Sequence, residues 1–526
     1  MDPEGTADDE RTTKRQRAWL LVALTLLVGA AFPYLASMMN ANERPRILQA
    51  IAWVDTGELR VDGPGARGID PGIDVAQSPV DGHLYPNKPP GATLPAIVAY
   101  ATVKMVTEST SLRDVTRAAR VLGGVLPTIL LAAWLLRRWS GRLSEPTVTA
   151  AVVLLVLATP MLSYGRLLFG PPLTALCLTV GVGWIAAPPQ PRRDWFVFAG
   201  GMLAGAAVVV EYAAVFAAVP IGVYLGWHAW RRRDVRTLVL ATAGALVPIA
   251  GLAAYHAAVF GSPLSTGYHH VVQERFAQTH AKGLLGLGLP DATSIHEHLL
   301  SPWGGLAYWA PLWVVALGWA IARWRGLDEE MRLGAAVFGV MVLVNLGLSQ
   351  TGGWRVGPRY LVGFFPLLVP VVARMLDAAM RRPSLGAGVV ALAGWSVAAN
   401  FLAAHLFPHL IDKGNPLADQ LLPLWLDGLA PYNWLAPILG ERLALHGLAG
   451  LAFGVTAWSL SRLPWPPRGR RVGFGLGLVG AVLLFSAALT LPAAEDAEAN
   501  LTAIEQIWEP TVSGQRFTTM IRPLQP

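Results

Sequence analysis

The sequence predicts an all-α protein that crosses a membrane many times. Of its 526 residues, 53% are hydrophobic and only 14% are charged, whereas soluble globular domains carry about 25% charged residues. Apolar runs recur along the whole chain, and most approach the roughly 20 residues that a helix needs to span the hydrocarbon core of a bilayer. These observations leave no room for a large soluble domain.

The basic residues predict how the chain is threaded. Short Arg-rich clusters separate the apolar runs, and placing all of them in the cytoplasm, as the positive-inside rule requires, gives about 13 transmembrane helices with a cytoplasmic N-terminus. The predicted spans are 18–39, 118–136, 146–163, 172–187, 195–210, 212–229, 237–260, 306–322, 333–349, 360–377, 384–404, 443–461 and 472–492. The first apolar run follows basic residues as a signal peptide does, but its length favours a transmembrane helix.

This threading divides the chain into a cytoplasmic N-terminal tail (1–17), a transmembrane domain (18–492) and an outer C-terminal tail (493–526). Within the domain, three long outer loops hold most of the unusual polar residues: 40–117, 261–305 and 405–442. The threading requires that the apolar run 91–103 does not cross the membrane. Its 13 residues supply about 20 Å of helix, less than the roughly 30 Å of the hydrocarbon core, so we expect a juxtamembrane helix.

Charge and cysteine content limit the partners of the chain. The net charge of +7 lies in short clusters at helix ends, which membrane orientation explains, so a nucleic-acid partner is not expected. Membrane lipids are the expected surroundings. The single cysteine, Cys177, excludes an intramolecular disulfide and lies in an apolar run.

The first outer loop carries the most informative pattern. An amphipathic helix is expected to begin at Pro45 and to end before Gly57, with Glu43 immediately before it. Aspartates interspersed with glycines follow, and then the stretch "YPNKPPG" with Lys88 among three prolines. A lysine held at the boundary of the bilayer suits the phosphate of a lipid as a compact point charge. The alternative is a lysine that only anchors an interfacial helix.

This order of features resembles the first periplasmic loop of GT-C superfamily glycosyltransferases. It comprises a first span, the pair Asn42–Glu43, an amphipathic helix, the motif Tyr85-x-x-Lys88-Pro-Pro and a short juxtamembrane helix. The nearest types are the lipid A aminoarabinose transferase and the protein O-mannosyltransferases, the latter of glycosyltransferase family 39. The segments 264–270, 283–290 and 352–368 also resemble that class. The resemblance implies transfer of a sugar, with inversion, from a polyprenyl phosphate to an envelope glycan, lipid or protein, outside the bacterial inner membrane.

The resemblance also implies roles for individual residues. Glu43 stands where these enzymes place an acid after the first span, so it is the predicted catalytic base; the alternative is an ion pair with Arg46. Lys88, Arg359 and Arg166 are the predicted ligands of the donor phosphate, although Arg359 at the mouth of a span also suits a membrane anchor. Further candidates for substrate binding are Tyr85, Asp81, Asp55, Tyr360, Trp354, His269, His270 and Glu211. For Glu211, which interrupts an apolar stretch, the alternative is a simple turn between two spans.

One departure from the family pattern concerns the outer loop after the third predicted span. Family members often carry an acid there, but this chain has Gly170 and Pro171. Three explanations are open: Glu43 acts alone, Asp55 or Asp81 substitutes, or the protein has lost catalysis and binds carrier lipids. A transporter or flippase of lipid-linked substrates is the alternative from another class.

The spacing of His296 and His298 does not predict a zinc site, because residues two apart diverge on a helix. No metal ligand is therefore assigned. A divalent cation at the aspartates of the first loop stays open as an aid to the donor phosphate.

Overall fold

The computed structural model describes residues 3–30, 41–107, 111–280, 286–349, 353–411, 414–429, 431 and 433–512. The first half of its helices are α1 (Pro3–Val28), α2 (Arg44–Thr56), α3 (Leu94–Val106), α4 (Leu112–Arg120), α5 (Leu126–Trp139), α6 (Glu145–Leu157), α7 (Met161–Tyr164), α8 (Pro171–Ala186), α9 (Arg193–Val210), α10 (Ala218–Arg231) and α11 (Val235–Phe260). Between α2 and α3, two short strands pair antiparallel: β1 (Val75–Gln77) and β2 (Leu84–Pro86).

The second half adds shorter outer helices between long ones. These helices are α12 (Glu274–His280), α13 (Ala292–Ile295), α14 (Leu306–Trp309), α15 (Pro311–Ala322), α16 (Glu329–Leu346), α17 (Val369–Met380), α18 (Pro383–His405), α19 (Leu422–Leu426), α20 (Ala436–Leu439), α21 (Glu441–Ser461), α22 (Gly469–Leu489) and α23 (Ala497–Val512). A helical turn at 121–125 makes α4 and α5 continuous, and a 3-10 segment at 212–217 leads into α10.

The prediction of an all-α, multi-pass membrane protein is confirmed. Among the residues that the structure describes, seven helical stretches are long and apolar enough to cross a membrane: Leu112–Trp139, Arg193–Val210, Tyr212–Arg231, Val235–Phe260, Pro383–His405, Glu441–Ser461 and Gly469–Leu489. Three shorter apolar helices, α6, α8 and α15, accompany them. Each predicted span from 118 onward contains helix, but 146–163 is interrupted between α6 and α7, and 360–377 is α-helical only from Val369. The first predicted span coincides with α1 up to residue 28, and its part at 31–39 lies outside the described residues.

The centre of the bundle is formed by helices without a polar face. Every residue of α6 from Thr147 to Leu157 is buried, and α17 and α18 pack around it. A helix that is apolar on all sides belongs in the interior of a protein or a membrane. At the edge, α9 and α11 approach closely through Gly201 and Gly205, as small residues allow in membrane helices.

The juxtamembrane helices of the first loop form a separate packed layer. The run 91–103 becomes α3, which has 13 residues and packs against α2 and α4. Pro45 occupies the first turn of α2, and Gly57 ends it with a φ of 73°, a conformation that favours glycine. Ile47, Ile51, Tyr100 and their neighbours form the core of this layer. The layer carries both Glu43 and Lys88.

The end of the bundle that the threading places in the cytoplasm holds a paired set of charges. We call Arg138, Arg142, Asp328 and Glu330 the inner cluster. Arg138 Nη2 and Arg142 Nη1 lie 2.9 and 2.6 Å from Glu330 Oε2, and Arg142 Nη2 lies 3.4 Å from Asp328. Arg138 also donates to the carbonyls of Gly183 and Ala187 at the end of α8. The inner cluster thus ties α5, α8 and α16 together.

Candidate functional site

The outer loop between α7 and α8 forms the floor of the candidate site. The Leu168 N–H donates to Glu43 Oε1 at 2.6 Å, and the Leu168 carbonyl accepts from Arg46 Nη1 at 2.9 Å. The backbone of one residue, Leu168, therefore holds two residues at the start of α2. The sequence predicts Glu43 as the catalytic base but gives no indication of this contact, because 125 residues separate Glu43 from Leu168.

The next two residues of the same loop meet two more charged side chains. The Phe169 ring lies 4.9 Å from the Arg359 guanidinium. Gly170 lies directly against the Glu211 side chain, since a Cβ added at Gly170 would come within 2.6 Å of Glu211 Cγ and 2.7 Å of Cδ. Leu168, Phe169 and Gly170 thus bring together charges from three distant parts of the chain.

We call five charged side chains the outer cluster: Arg46, Lys88, Arg359, Asp74 and Glu211. Lys88 Nζ lies 3.9 Å from Asp74 Oδ1 and 4.9 Å from the centre of the Tyr268 ring. Asp74 is placed there by the β1–β2 hairpin, because the Asn87 N–H donates to the Asp74 carbonyl at 3.1 Å. Three cations from α2, the proline-rich turn and the segment before α17 therefore converge.

The cations of the outer cluster influence one another. Burial lowers the pKa of Lys88, and the nearby Arg359 and Arg46 lower it further, against the opposing effect of Asp74 and Glu211. Burial also lowers the pKa of Arg46, with Arg359 acting in the same direction. Like charges held together in a buried region favour an anionic partner. The outer cluster is therefore arranged to receive a negative group.

Arg46 supplies unused hydrogen-bond donors to this cluster. Its side chain is buried, and within the described part of the chain its Nε and Nη2 have no hydrogen-bond partner. A buried donor without a partner costs about 1–3 kcal/mol, so a ligand that accepts these bonds gains affinity. The sequence suggested Arg46 only as the alternative partner of Glu43, and the structure gives Glu43 a different one.

Glu43 is held by Arg120 of α4. Arg120 Nε and Nη2 donate to the two carboxylate oxygens at 2.9 and 2.6 Å, and both side chains are almost fully buried. Burial alone raises the pKa of Glu43, but Arg120 and the Leu168 N–H outweigh it, so the pKa lies below its usual value. The predicted role of Glu43 as the base is not tested by this geometry, although its oxygens already accept three bonds.

His409 is a buried neighbour of Glu43 that the sequence did not single out. Burial lowers its pKa to about 4, with Arg120 and Arg359 acting in the same direction and Glu43 opposing them. The imidazole is therefore neutral at pH 7. His409 lies beyond the end of α18 and links the pair Glu43–Arg120 to the outer cluster.

A narrow cavity opens beside the outer cluster. It is lined by Pro171, Thr174, Glu211, Ala213, Arg359, Tyr360, Gly363 and Phe364. Glu211 stands between the spans that end at Val210 and begin at Tyr212. It has the extended backbone of a turn residue, as one sequence alternative held. Its side chain also lines the cavity beside Arg359, and its predicted role in substrate binding stays a prediction.

The proline-rich turn is coupled to the same region by Gly91. A Cβ added at Gly91 would lie 2.6 Å from the carbonyl oxygen of Val209, in the last turn of α9. Only glycine permits this close approach of two backbones. The turn that carries Lys88 is therefore seated on the helix that leads to Glu211.

Several other predicted residues are occupied by contacts of their own. Asp55 is buried and accepts from Tyr100 at 2.7 Å, from Lys104 at 2.5 Å and from Arg67. Its three partners make Asp55 an anchor between α2 and α3. Arg166 is fully buried and bonds to the carbonyls of Leu27 and Ala404 and to His405. These contacts explain Arg166 as a structural link, and the outer cluster does not include it.

The remaining predicted residues lie around the hairpin and the later loops. The Tyr85 hydroxyl donates to Asp81 at 2.7 Å, and His269 bonds to Thr266 at the start of a short helical turn. His270 stacks on Phe260 and bonds to Ser265. The Trp354 side chain is partly exposed at 36%. None of these four contacts joins the outer cluster among the described residues, whereas Lys88, Arg359, Tyr360 and Glu211 do meet there.

The described residues contain no group of three or more His, Cys, Asp or Glu side chains placed to hold a metal ion. Asp74 and Glu211, the carboxylates of the outer cluster, are both set among cations. A divalent cation at this site stays an untested expectation.

Comparison with known proteins gives structural neighbours only. No family model and no curated protein matches the sequence. The chain is similar to ArnT from Cupriavidus metallidurans, with 15% identity and a TM-score of 0.44 to the form bound to undecaprenyl phosphate, over 93% of this chain and 87% of that one. The apo form gives 16% identity and a TM-score of 0.44, over 90% and 78% of the two chains.

A third neighbour is the arabinosyltransferase EmbB from Mycobacterium smegmatis. It shares 12% identity at a TM-score of 0.46, over 93% of this chain and 42% of that one. ArnT and EmbB are membrane glycosyltransferases of the GT-C superfamily, the superfamily that the sequence resembles. Identities this low carry no information on the reaction, so the site is argued from its own residues.

Proposed function

We propose that the protein is an integral membrane glycosyltransferase. In this proposal it transfers a sugar from a polyprenyl-phosphate donor to an envelope glycan, lipid or protein, on the outer side of the cytoplasmic membrane and with inversion at the anomeric carbon. The observation that carries the proposal is the convergence of Arg46, Lys88 and Arg359 in a buried cluster beside a juxtamembrane helix.

The chemistry of the outer cluster suits a departing lipid phosphate. As the glycosidic bond to phosphate breaks, negative charge develops on the phosphate oxygens, and cations already in place stabilise that charge. Arg46 contributes planar donors, and Lys88 contributes a compact charge. Their partial mutual repulsion, described above, is relieved when the anion binds.

The surroundings suit the other parts of the donor. The apolar helix α3 follows the turn that carries Lys88, so a polyprenyl chain has an apolar surface beside its phosphate. On the other side of Arg359 the cavity near Tyr360 and Glu211 offers polar groups to a sugar. The orientation of this end toward the outside follows from the positive-inside threading, in which the inner cluster is cytoplasmic.

The test is sugar transfer by purified protein in lipid vesicles. Radiolabelled polyprenyl-phosphate sugars would be supplied as a panel with an envelope extract as acceptor, and binding of undecaprenyl phosphate would be measured separately. Label transfer that is lost in Lys88→Ala and in Arg359→Gln supports the proposal. Binding of the phosphate without transfer of any label would instead favour the flippase or the noncatalytic lipid-binding protein.

A further inference from the structure

We infer that Glu211 is the carboxylate that accepts the proton of the acceptor hydroxyl, replacing in space the acid that the loop before α8 lacks. The inference rests on the proposed function, because it assigns one step of that reaction. It comes from the contact between Gly170 and Glu211, which no pattern in the sequence reveals.

The contact shows that a side chain at position 170 and the Glu211 side chain compete for one volume. A Cβ at Gly170 would overlap the Glu211 carboxylate and its Cγ. The backbone of Gly170 has a φ of −64°, which any residue adopts, so glycine is required here by space and not by conformation. A side chain at 170 would therefore require the Glu211 side chain to leave its present position.

Glu43 and Glu211 differ in their availability. Glu43 accepts two bonds from Arg120 and one from the Leu168 N–H, and these bonds favour its charged, occupied form. Within the described residues, the Glu211 carboxylate makes no hydrogen bond and no ion pair within 4.0 Å. A base must have a lone pair directed at the proton that it removes. Glu211 meets that condition, whereas Glu43 would first have to release Arg120.

The position of Glu211 also suits an in-line transfer. It lines the cavity together with Arg359 and Tyr360. Lys88 and Arg46 lie close enough to Arg359 for its charge to lower the pKa of each. A phosphate bound among the three cations leaves its sugar facing the cavity. The acceptor hydroxyl then enters between the sugar and Glu211.

The step balances without a further reagent. The hydroxyl oxygen of the acceptor forms a bond to the anomeric carbon, and its proton passes to the Glu211 carboxylate. The bond from the anomeric carbon to the phosphate oxygen breaks, and its electron pair stays on the phosphate beside Lys88, Arg46 and Arg359. Glu211 later returns its proton to water.

The experiment compares Glu211→Gln with Glu43→Gln and with Glu274→Gln, a control at an exposed glutamate of α12. Each variant is assayed for transfer from the donor that the wild type uses, and for binding of undecaprenyl phosphate. We expect Glu211→Gln to lower the turnover about 100- to 10,000-fold, the usual contribution of a general base. Phosphate binding and donor KM should stay within about twofold, and the control should match the wild type.

A second pair of variants moves the carboxylate from position 211 to position 170. Glu211→Ala should lose transfer, and the double variant Gly170→Asp/Glu211→Ala should recover part of it, because the new carboxylate fills the volume that the old one leaves. Gly170→Asp in the presence of Glu211 should be inactive. A structural role for Glu211 would not produce this recovery.

The outcomes separate the two proposals. Transfer at the wild-type rate by Glu211→Gln would overturn the assignment of Glu211 alone. Loss of undecaprenyl-phosphate binding together with transfer in Glu211→Gln would also overturn it, since Glu211 would then be a binding or folding residue. If wild-type protein that binds undecaprenyl phosphate transfers no sugar from any donor, the proposed function fails, and the role of Glu211 fails with it.

Discussion

The inner and outer clusters both combine basic and acidic side chains but differ in how their charges are satisfied. In the inner cluster, Glu330 lies 2.6 to 2.9 Å from two guanidinium groups, so both arginines are paired with a carboxylate. In the outer cluster the shortest ion pair of Lys88 is 3.9 Å long, and Arg46 keeps unused donors. Close pairing holds helices together, whereas incomplete pairing leaves charge for a ligand. In this chain, the completeness of ion pairing distinguishes a cluster that joins helices from a cluster that can bind a ligand.

The largest effect is expected when the ion pair between Glu43 and Arg120, beside the outer cluster, is broken. Arg120→Ala leaves the Glu43 carboxylate buried without its partner, so we expect a loss of about 3–5 kcal/mol in the free energy of unfolding. Denaturant titration of the detergent-solubilised protein measures it. The double variant Glu43→Gln/Arg120→Gln should recover much of the loss. Unchanged stability in Arg120→Ala would show that the pair does not hold the first loop.

The next effect tests whether incomplete pairing marks the binding site. Lys88→Ala should weaken the binding of undecaprenyl phosphate by about 10- to 100-fold, as expected for loss of a contact between charged groups worth about 1.5–3 kcal/mol. Lys104→Ala is the matched control, because Lys104 belongs to the same loop layer but is paired with Asp55 at 2.5 Å. Equal losses for the two lysines would refute the distinction between paired and available charge.

A smaller effect is expected at the inner cluster. Glu330→Gln removes the charge that two arginines share, and because Arg142 is 36% exposed we expect solvent to limit the loss to about 1 kcal/mol of unfolding free energy. Thermal unfolding followed by tryptophan fluorescence gives this value. Binding of undecaprenyl phosphate should not change. A marked loss of phosphate affinity would contradict the separate roles of the two ends.

The smallest effect within the accessible range is a pH dependence. The pKa of Glu43 is lowered in the folded protein, so the unfolded state binds more protons at acidic pH. The stabilisation is therefore complete above the ordinary glutamate pKa of about 4.5 and is lost as the pH falls through the lowered value. Unfolding temperatures measured from pH 6 to pH 3.5 should fall less steeply in Glu43→Gln/Arg120→Gln than in the wild type. Parallel curves would exclude Glu43 as a source of the dependence.

Much of the fold could be predicted because the length and composition of each apolar run are enough to identify a membrane helix. The apolar run 91–103 is too short to cross the bilayer, and together with the positive-inside threading this predicted a juxtamembrane helix, which overlaps α3. Lys88 and Arg359 could be predicted for the same reason, since each is a charge at the edge of an apolar run. Both meet in the outer cluster.

The rest of the site depends on contacts between distant segments. Arg46 looked like an ordinary charge in the first turn of an amphipathic helix, and its orientation is set by Leu168, 122 residues away. Nothing distinguished Asp74 from the other aspartates of the first loop until the β1–β2 hairpin placed it beside Lys88. The loop itself has no acidic residue near Gly170, but the folded chain places Glu211 beside it.

The backbone contact between Gly91 and Val209 determines which changes in the first loop would move Lys88. Because the proline-rich turn rests on the last turn of α9, this contact helps to set the spacing from Lys88 to Glu211. An insertion in the preceding stretch 58–73 would not alter the contact itself. A single added methyl group at position 91 would change it at once, by lifting the turn away from the helix that it rests on.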